Sequence, residues 1–415
     1  MSEQGLGCHL RVGSRRRRNH KLLRFHFIQM PYDLLMNLGL VLTGGGARAA
    51  YQVGVIQAIA DISSKSEIPF NVITGASTGA INGSYLMSQA DNFKAGAQGL
   101  WDLWLNLHTD MVYRTDSIYM AALGARWLGT LGLGGLYGRK NVINHLLDTG
   151  PLRELLTREL HLEKIPQFLK EGILRGVNVS ATNYLSGTAI SFYDGIKDVH
   201  QGKHTTRLDI QTHLTIDHVM ASCAIPLFFP PIKIDGIFYG DGCIRLSSPL
   251  GPAIQMGADR IIAIGIRHSR SENETLELNQ KMSKGDLTIA EISGMLLNSV
   301  FLDSLETDLE RTERINSTIS LIAKEHLSQM PNKLRHIPIL ALMPSQDLGE
   351  LAMGTLHEFP GIIRIFLRGL GAKENKGWDL LSYLAFEKAY TNQLIELGYF
   401  DTFQRRESIR EFMML

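Results

Sequence analysis

Two glycine-rich turns, Gly44-Gly45-Gly46-Ala47-Arg48 and Gly75-Ala76-Ser77-Thr78-Gly79, fall within about 35 residues, and each joins an apolar run to a segment with helical spacing. Residues 38–43 read as a buried strand, and apolar Ala50, Val53, Ile56, Ile59 and Ala60 mark a helix over 47–62. Residues 70–74 read as a second short strand, and 80–87 continue as a helix. Strand, glycine turn and helix, repeated in succession, predict an α/β fold: a mostly parallel central sheet flanked by helices on both faces.

The second turn has chemical meaning. A Gly-x-Ser-x-Gly between strand and helix exposes a serine hydroxyl on a sharp bend, as acyl transfer requires. With 27 serines and 40 glycines in 415 residues the pentapeptide arises by chance in roughly one such chain in four, so its context carries the weight. The first turn supplies that context: a glycine-rich helix start turns backbone N–H groups toward an anion, which suits an oxyanion. It also suits a dinucleotide, because Gly44-x-Gly46-x-x-Ala49 fits the permissive phosphate-binding fingerprint. That reading asks for an acid at the end of the second strand, where the chain instead delivers Gly75-Ala76-Ser77; Asp61 and Glu67 fall on the helix end and in the preceding loop.

A serine needs a base. Among 14 histidines, His200, His204, His213 and His218 are close in sequence, but no spacing marks a metal site or singles out a partner, and they read as surface or structural residues. Asp241, in Phe238-Tyr239-Gly240-Asp241-Gly242, ends an apolar hairpin that turns at Asp235-Gly236. Asp-Gly is a common turn signal, so the two pairs look alike locally.

Taken together these residues resemble the patatin-like lipid acyl hydrolases. Gly44-Gly45-Gly46-Ala47-Arg48 is similar to their oxyanion motif, Gly75 to Gly79 to their nucleophile elbow, and Asp241-Gly242 to their aspartate turn, with Cys243 where a small residue is usual. Ala221-Ser222-Cys223-Ala224-Ile225-Pro226 and Phe229-Pro230-Pro231 are similar to the segment those proteins carry before the aspartate, so the resemblance spans roughly 38–266. It implies a Ser77–Asp241 dyad without histidine, an acyl-enzyme, an oxyanion hole at Gly44, Gly45, Gly46 and Arg48, and no cofactor or metal. It also implies lipid substrates, phospholipid or lysophospholipid esters, met at a membrane surface. A fold retained as a membrane- or protein-binding module without turnover stays open beside it.

Net charge of +1 with 20% charged residues gives no global attraction to nucleic acid. Three cysteines, Cys8, Cys223 and Cys243, do not make a disulfide framework and suit a reducing, cytoplasmic setting. Arg15 to Arg18 with Lys21 and Arg24 form a basic cluster without a secretory h-region, so 1–36 is expected to be a disordered tail, with anionic membrane as its second reading and Met30 or Met36 as alternative starts. The catalytic domain is expected over 37–270, with further strands at 173–182, 189–193, 232–239 and 260–266. The apolar, glycine-rich stretch 101–138 reads equally as a lid or as core. Residues 271–286 read as a linker or mobile loop, and 287–415 as a mainly helical region with a long helix over 289–315 and a returning strand at 336–343. The role of that region and the oligomeric state stay open.

Overall fold

The strand-forming runs condense into one nine-stranded sheet. The structure, a computed structural model, describes residues 36–63, 66–125, 144–195, 206–282, 286–323, 326–327 and 334–414. The basic cluster at 15–24, Cys8, the glycine-rich 127–135 of the expected lid, and His200 and His204 lie outside the described residues.

The strands are β1 (Leu38–Leu42), β2 (Val72–Ala76), β3 (Gly176–Asn183), β4 (Ala189–Gly195), β5 (Arg207–Gln211), β6 (Ile232–Ile234), β7 (Ile237–Gly240), β8 (Arg260–Ile264) and β9 (Ile339–Leu342). Their order is β5-β4-β3-β2-β1-β8-β9, with the β6–β7 hairpin joined to the end of β3. The run β3-β2-β1-β8-β9 is parallel throughout, whereas β4 and β7 meet β3 antiparallel. Every residue of β1 and β2 is buried, which follows from helices covering both faces of a parallel sheet. The mostly parallel sheet flanked by helices expected from the sequence is therefore the fold.

Three helices follow the first strands: α1 (Ala50–Ile62), α2 (Thr78–Ser88) and α3 (Phe93–Leu105). A tight 3-10 turn, Gly46–Ala49, precedes α1, so the helix expected from 47 begins three residues later. β2 ends at Ala76 rather than at 74, delivering Ser77 straight from strand to helix. β5 was not anticipated: its sequence Arg-Leu-Asp-Ile-Gln carries no continuous apolar run because it lies half-exposed at the sheet edge.

The C-terminal half departs further. Residues Glu272–Met282, read as linker for lack of apolar periodicity, form a helix whose residues up to 277 are solvent-exposed, so no apolar stripe was there to be read. The long helix over 289–315 is two, Ile289–Phe301 and Asp303–Ser320, parted at Leu302. The returning strand is β9, parallel to β8. The helix Lys388–Gln404 lies against α1 in backbone contact: a Cβ on Gly54 would stand 1.9 Å from the Ile395 carbonyl oxygen, and one on Gly398 would stand 2.1 Å from that of Tyr51. Met36–Leu415 thus form one compact unit, and the residues beyond 287 share the core laid down by β1, α1 and α3.

Candidate active site

Sheet register brings the three motifs together. Leu42 of β1 pairs with Gly75 of β2, so both glycine turns leave neighbouring parallel strands at the same, C-terminal edge. Ala76 pairs with Ser180 of β3, and two residues further along β3 Thr182 pairs with Gly240 of β7. The next residues of β2 and β7 are Ser77 and Asp241. Their side chains meet: Ser77 Oγ donates to Asp241 Oδ2 at 2.6 Å, with both residues almost wholly buried.

Ser77 sits at φ 53°, ψ −132°, a conformation that costs a non-glycine residue roughly 1–3 kcal/mol. The neighbours hold it there. Its N–H donates to Ser222 Oγ (2.9 Å), and that hydroxyl donates to the Ser180 carbonyl (2.6 Å). Gly75 and Gly79 permit the bend because a Cβ on either would lie about 2.5 Å from backbone oxygen, of Gly79 and of Leu42 and Thr43 respectively.

Asp241 is fixed at both ends. Its N–H donates to the Ala224 carbonyl (3.0 Å), its own carbonyl accepts from Thr182 Oγ1 (2.8 Å), and Oδ1 accepts from the Cys243 N–H (2.9 Å). Burial pushes its carboxyl up to about 7, although the hydrogen bonds from Ser77 and Cys243 pull the other way. A carboxylate of ordinary pKa near 4 would be a feeble base; desolvation makes this one a group that takes and returns protons at neutral pH.

The first turn lies against this pair. A Cβ on Gly44 would stand 2.5 Å from Ser77 Cβ, so backbone approaches the serine as closely as a chain can. The Gly44 N–H faces the Cys243 sulfur. Gly46 adopts φ +56° and joins Ser77 in lining a cavity. Arg48 is buried and taken up by the C-terminal region: Nε donates to Ser382 Oγ (2.7 Å), Nη2 pairs with Asp379 Oδ1 (2.8 Å), and the guanidinium covers the Tyr383 ring at 4.3 Å. Its side chain is thus a tether between turn and C-terminal helix. Gly242 leaves no room beside Asp241, since a Cβ there would meet the Ser180 carbonyl oxygen at 2.2 Å.

From Ser77 an apolar cavity of about 520 Å³, its mouth included, runs between Ile81, Trp104, Leu155, Ile225, Phe229 and Phe386. Trp104 comes from the stretch expected as lid or core. Phe386 comes from the region whose role the sequence left open.

Of the four histidines singled out in the sequence, the two described stand elsewhere: His213 pairs with Asp194 at the surface, and His218 caps its own helix through the Thr215 N–H (3.0 Å) and lies tilted against the Phe192 ring. Asp61 is exposed at the end of α1, where Gln57 and Tyr399 donate to it, and Glu67 is exposed in the loop before β2; neither is at the end of that strand. Burial drives the Cys223 and Cys243 thiols well up, so both stay protonated. Ser222, Asp379 and Ser382 had no assigned role in the sequence, since what distinguishes them is a partner remote in the chain.

A family model of patatin-like phospholipases matches residues 40–254, more than half of the 415-residue chain, and that span holds both glycine turns, Ser77 and Asp241. The chain belongs to the patatin-like phospholipase family. Among curated proteins it is 47% identical over 55 residues to lysophospholipase nte1 of Aspergillus terreus, covering 13% of this chain and 3% of that protein. It is 25% identical over 223 residues to a probable lipid hydrolase, 463L, of Invertebrate iridescent virus 6, covering 52% of this chain and 63% of that one. The chain therefore spans less than two thirds of either relative. Among solved structures, human GIVD cytosolic phospholipase A2 in complex with methyl γ-linolenyl fluorophosphonate and terbium chloride aligns over 91% of this chain and 59% of its own, at 11% identity and a TM-score of 0.41. No helix among the described residues is long and apolar enough to cross a membrane.

Proposed function

We propose that this patatin-like protein is a serine lipid acyl hydrolase that cleaves fatty-acyl esters of phospholipids or lysophospholipids through an acyl-enzyme. The observation that carries this reading is the 2.6 Å contact between Ser77 Oγ and a desolvated Asp241, with Ser77 lining an apolar cavity. Ser77 attacks the ester carbonyl while Asp241 Oδ2 takes its proton. The carbonyl oxygen, now charged, is held by N–H groups of the Gly44 to Gly46 turn, those of Gly45 and Gly46 foremost, because the Gly44 N–H faces the Cys243 sulfur. Removing one such donor in a serine hydrolase costs on the order of 3 kcal/mol in the barrier. As the intermediate collapses, the ester C–O bond breaks and Asp241 returns the proton to the leaving alkoxide. Water, activated by the same carboxylate, then attacks the acyl-serine and releases the fatty acid.

The cavity is lined almost entirely by hydrocarbon and aromatic side chains, which favour an acyl chain and offer a head group nothing to bond. The head group is left outside that apolar lining, and a substrate of that kind is met by transient contact with a lipid surface. In this reading residues 37–270 supply the dyad and both turns. The C-terminal region tethers the oxyanion turn through Arg48 and closes the cavity with Phe386.

Release of p-nitrophenol from a p-nitrophenyl ester by wild type, Ser77→Ala and Asp241→Asn, with folding checked by circular dichroism, tests the assignment. Activity in the wild type and its loss in both variants is expected. Activity surviving both substitutions contradicts the site. Wild-type silence on esters and on phospholipid vesicles points to a binding module.

A further inference from the structure

Behind the cavity, α1, α2 and α3 bring together three buried side chains that carry polar groups: Gln52, Asn82 and Trp104. Buried polar groups must find partners, and these find one another. Trp104 Nε1 donates to Asn82 Oδ1 at 2.9 Å. Asn82 Nδ2 donates to Gln52 Oε1 at 3.0 Å and to the Ala49 carbonyl at 3.2 Å. Gln52 Nε2 donates to the Thr43 carbonyl at 2.7 Å.

The direction of this chain is not arbitrary. An indole N–H can only donate, so Asn82 must offer its oxygen to Trp104 and its NH₂ to the far side. Gln52 must then accept from Asn82, which leaves its own NH₂ for Thr43. The Thr43 carbonyl belongs to the peptide whose N–H is that of Gly44. Because that peptide is planar, holding its oxygen fixes the direction of its N–H, which faces the Cys243 sulfur, and with it the start of the turn that carries Gly45 and Gly46. At the other end Trp104 forms cavity wall, tilted against Phe386 with ring centroids 6.3 Å apart.

We propose that Trp104, Asn82 and Gln52 are positioning residues that link the wall of the acyl cavity to the Thr43–Gly44 peptide, so that filling the cavity with a long acyl chain raises kcat rather than only lowering KM. The inference rests on the acyl-hydrolase reading above. Binding energy from a part of the substrate remote from the reacting carbonyl is thereby realised in the transition state. A wall that only offered apolar surface would bind ground and transition states equally and change KM alone.

The test compares p-nitrophenyl butyrate with p-nitrophenyl decanoate. The proteins are wild type, Trp104→Phe, which keeps an aromatic wall but loses the N–H, Gln52→Met, which breaks the other end, and Phe386→Leu, which alters the wall without touching the hydrogen bonds. In wild type kcat is expected to rise about tenfold from butyrate to decanoate, within the range of ordinary coupling between sites. Both Trp104→Phe and Gln52→Met should flatten that rise, whereas Phe386→Leu should move KM for decanoate and keep the rise. Melting curves identify a variant that fails to fold, and the other end of the chain then decides. If wild type hydrolyses both esters with the same kcat, or the two variants keep the wild-type ratio, the relay is overturned while the dyad stands. If wild type neither hydrolyses either ester nor takes a fluorophosphonate on Ser77, the acyl-hydrolase reading fails and the relay with it.

Discussion

The Asp-Gly pairs at 235–236 and 241–242 stand six residues apart, and they could hardly be used more differently. Asp235 (φ 48°) and Gly236 (φ +85°) form the two-residue turn between β6 and β7, both in the left-handed region that such hairpins favour, and both face solvent. Asp241 lies at φ −50° with no exposed surface, its carboxylate shared between the Ser77 hydroxyl and the Cys243 N–H. The same dipeptide is backbone chemistry at one end of β7 and side-chain chemistry at the other. The difference comes from register: Gly240 pairs with Thr182 of β3, which draws the following residue in under the sheet edge beside β2.

Paired substitutions sharpen this contrast. The largest effect is on turnover. Asp241→Asn should lower kcat by about 10²–10⁴-fold, the usual contribution of a positioned general base. Asp235→Asn should leave it unchanged, as ester hydrolysis by the two purified variants would establish.

The next effect is on stability and has a definite sign. Burial raises the Asp241 carboxyl in the folded protein to about 7, whereas in the unfolded chain it is near 4. Between those values the folded state binds the extra proton, so this group makes wild type progressively less stable from about pH 4 to pH 7, with no further loss above. An asparagine cannot ionise and keeps both contacts, since the serine oxygen can accept from its NH₂. Asp241→Asn should therefore melt higher than wild type at pH 8, by a margin of at most the order of 4 kcal/mol at about 1.4 kcal/mol per pKa unit. The margin should vanish near pH 4. Thermal melts of wild type and Asp241→Asn across that range check the slope, and a margin independent of pH would count against a desolvated carboxylate. For the same reason kcat/KM should rise with pH through about 7 and then level off.

The smallest effect concerns the glycines. Alanine at Gly242 would press its methyl against the Ser180 carbonyl oxygen, at a cost of about 1–3 kcal/mol or more. At Gly236 nothing lies within 4 Å, and only the positive φ is penalised, by about 1 kcal/mol. Denaturant melts of Gly242→Ala and Gly236→Ala should order accordingly.

Much of this arrangement was legible beforehand, and the reasons differ by element. β1, β2 and the turns after them could be read because an apolar run, glycines and helical spacing are all local. Their bounds moved by one to three residues, since hydrogen-bond register rather than composition ends a strand. The aspartate could not be chosen from turn chemistry; family resemblance pointed to Asp241 and not to Asp235. The half-exposed β5 carried no pattern to read, and the helix Glu272–Met282 was mistaken for linker because it has little apolar face. The contribution of the C-terminal region was illegible for another reason. Arg48 meets Asp379 and Ser382 more than 300 residues away, and nothing near either end announces the pairing. Gln52 did leave a trace, as a polar residue on a helix otherwise buried by apolar neighbours, whereas Asn82 did not stand out, because α2 also buries Thr78, Ser84 and Ser88.

The most direct measurement is intact-mass and peptide-level detection of fluorophosphonate labelling, timed in wild type, Asp235→Asn and Asp241→Asn. The account predicts a single adduct on Ser77 in wild type, formed at the same rate in Asp235→Asn and at least about a hundredfold more slowly in Asp241→Asn. An adduct on any other residue, or equal labelling rates in wild type and Asp241→Asn, would contradict it.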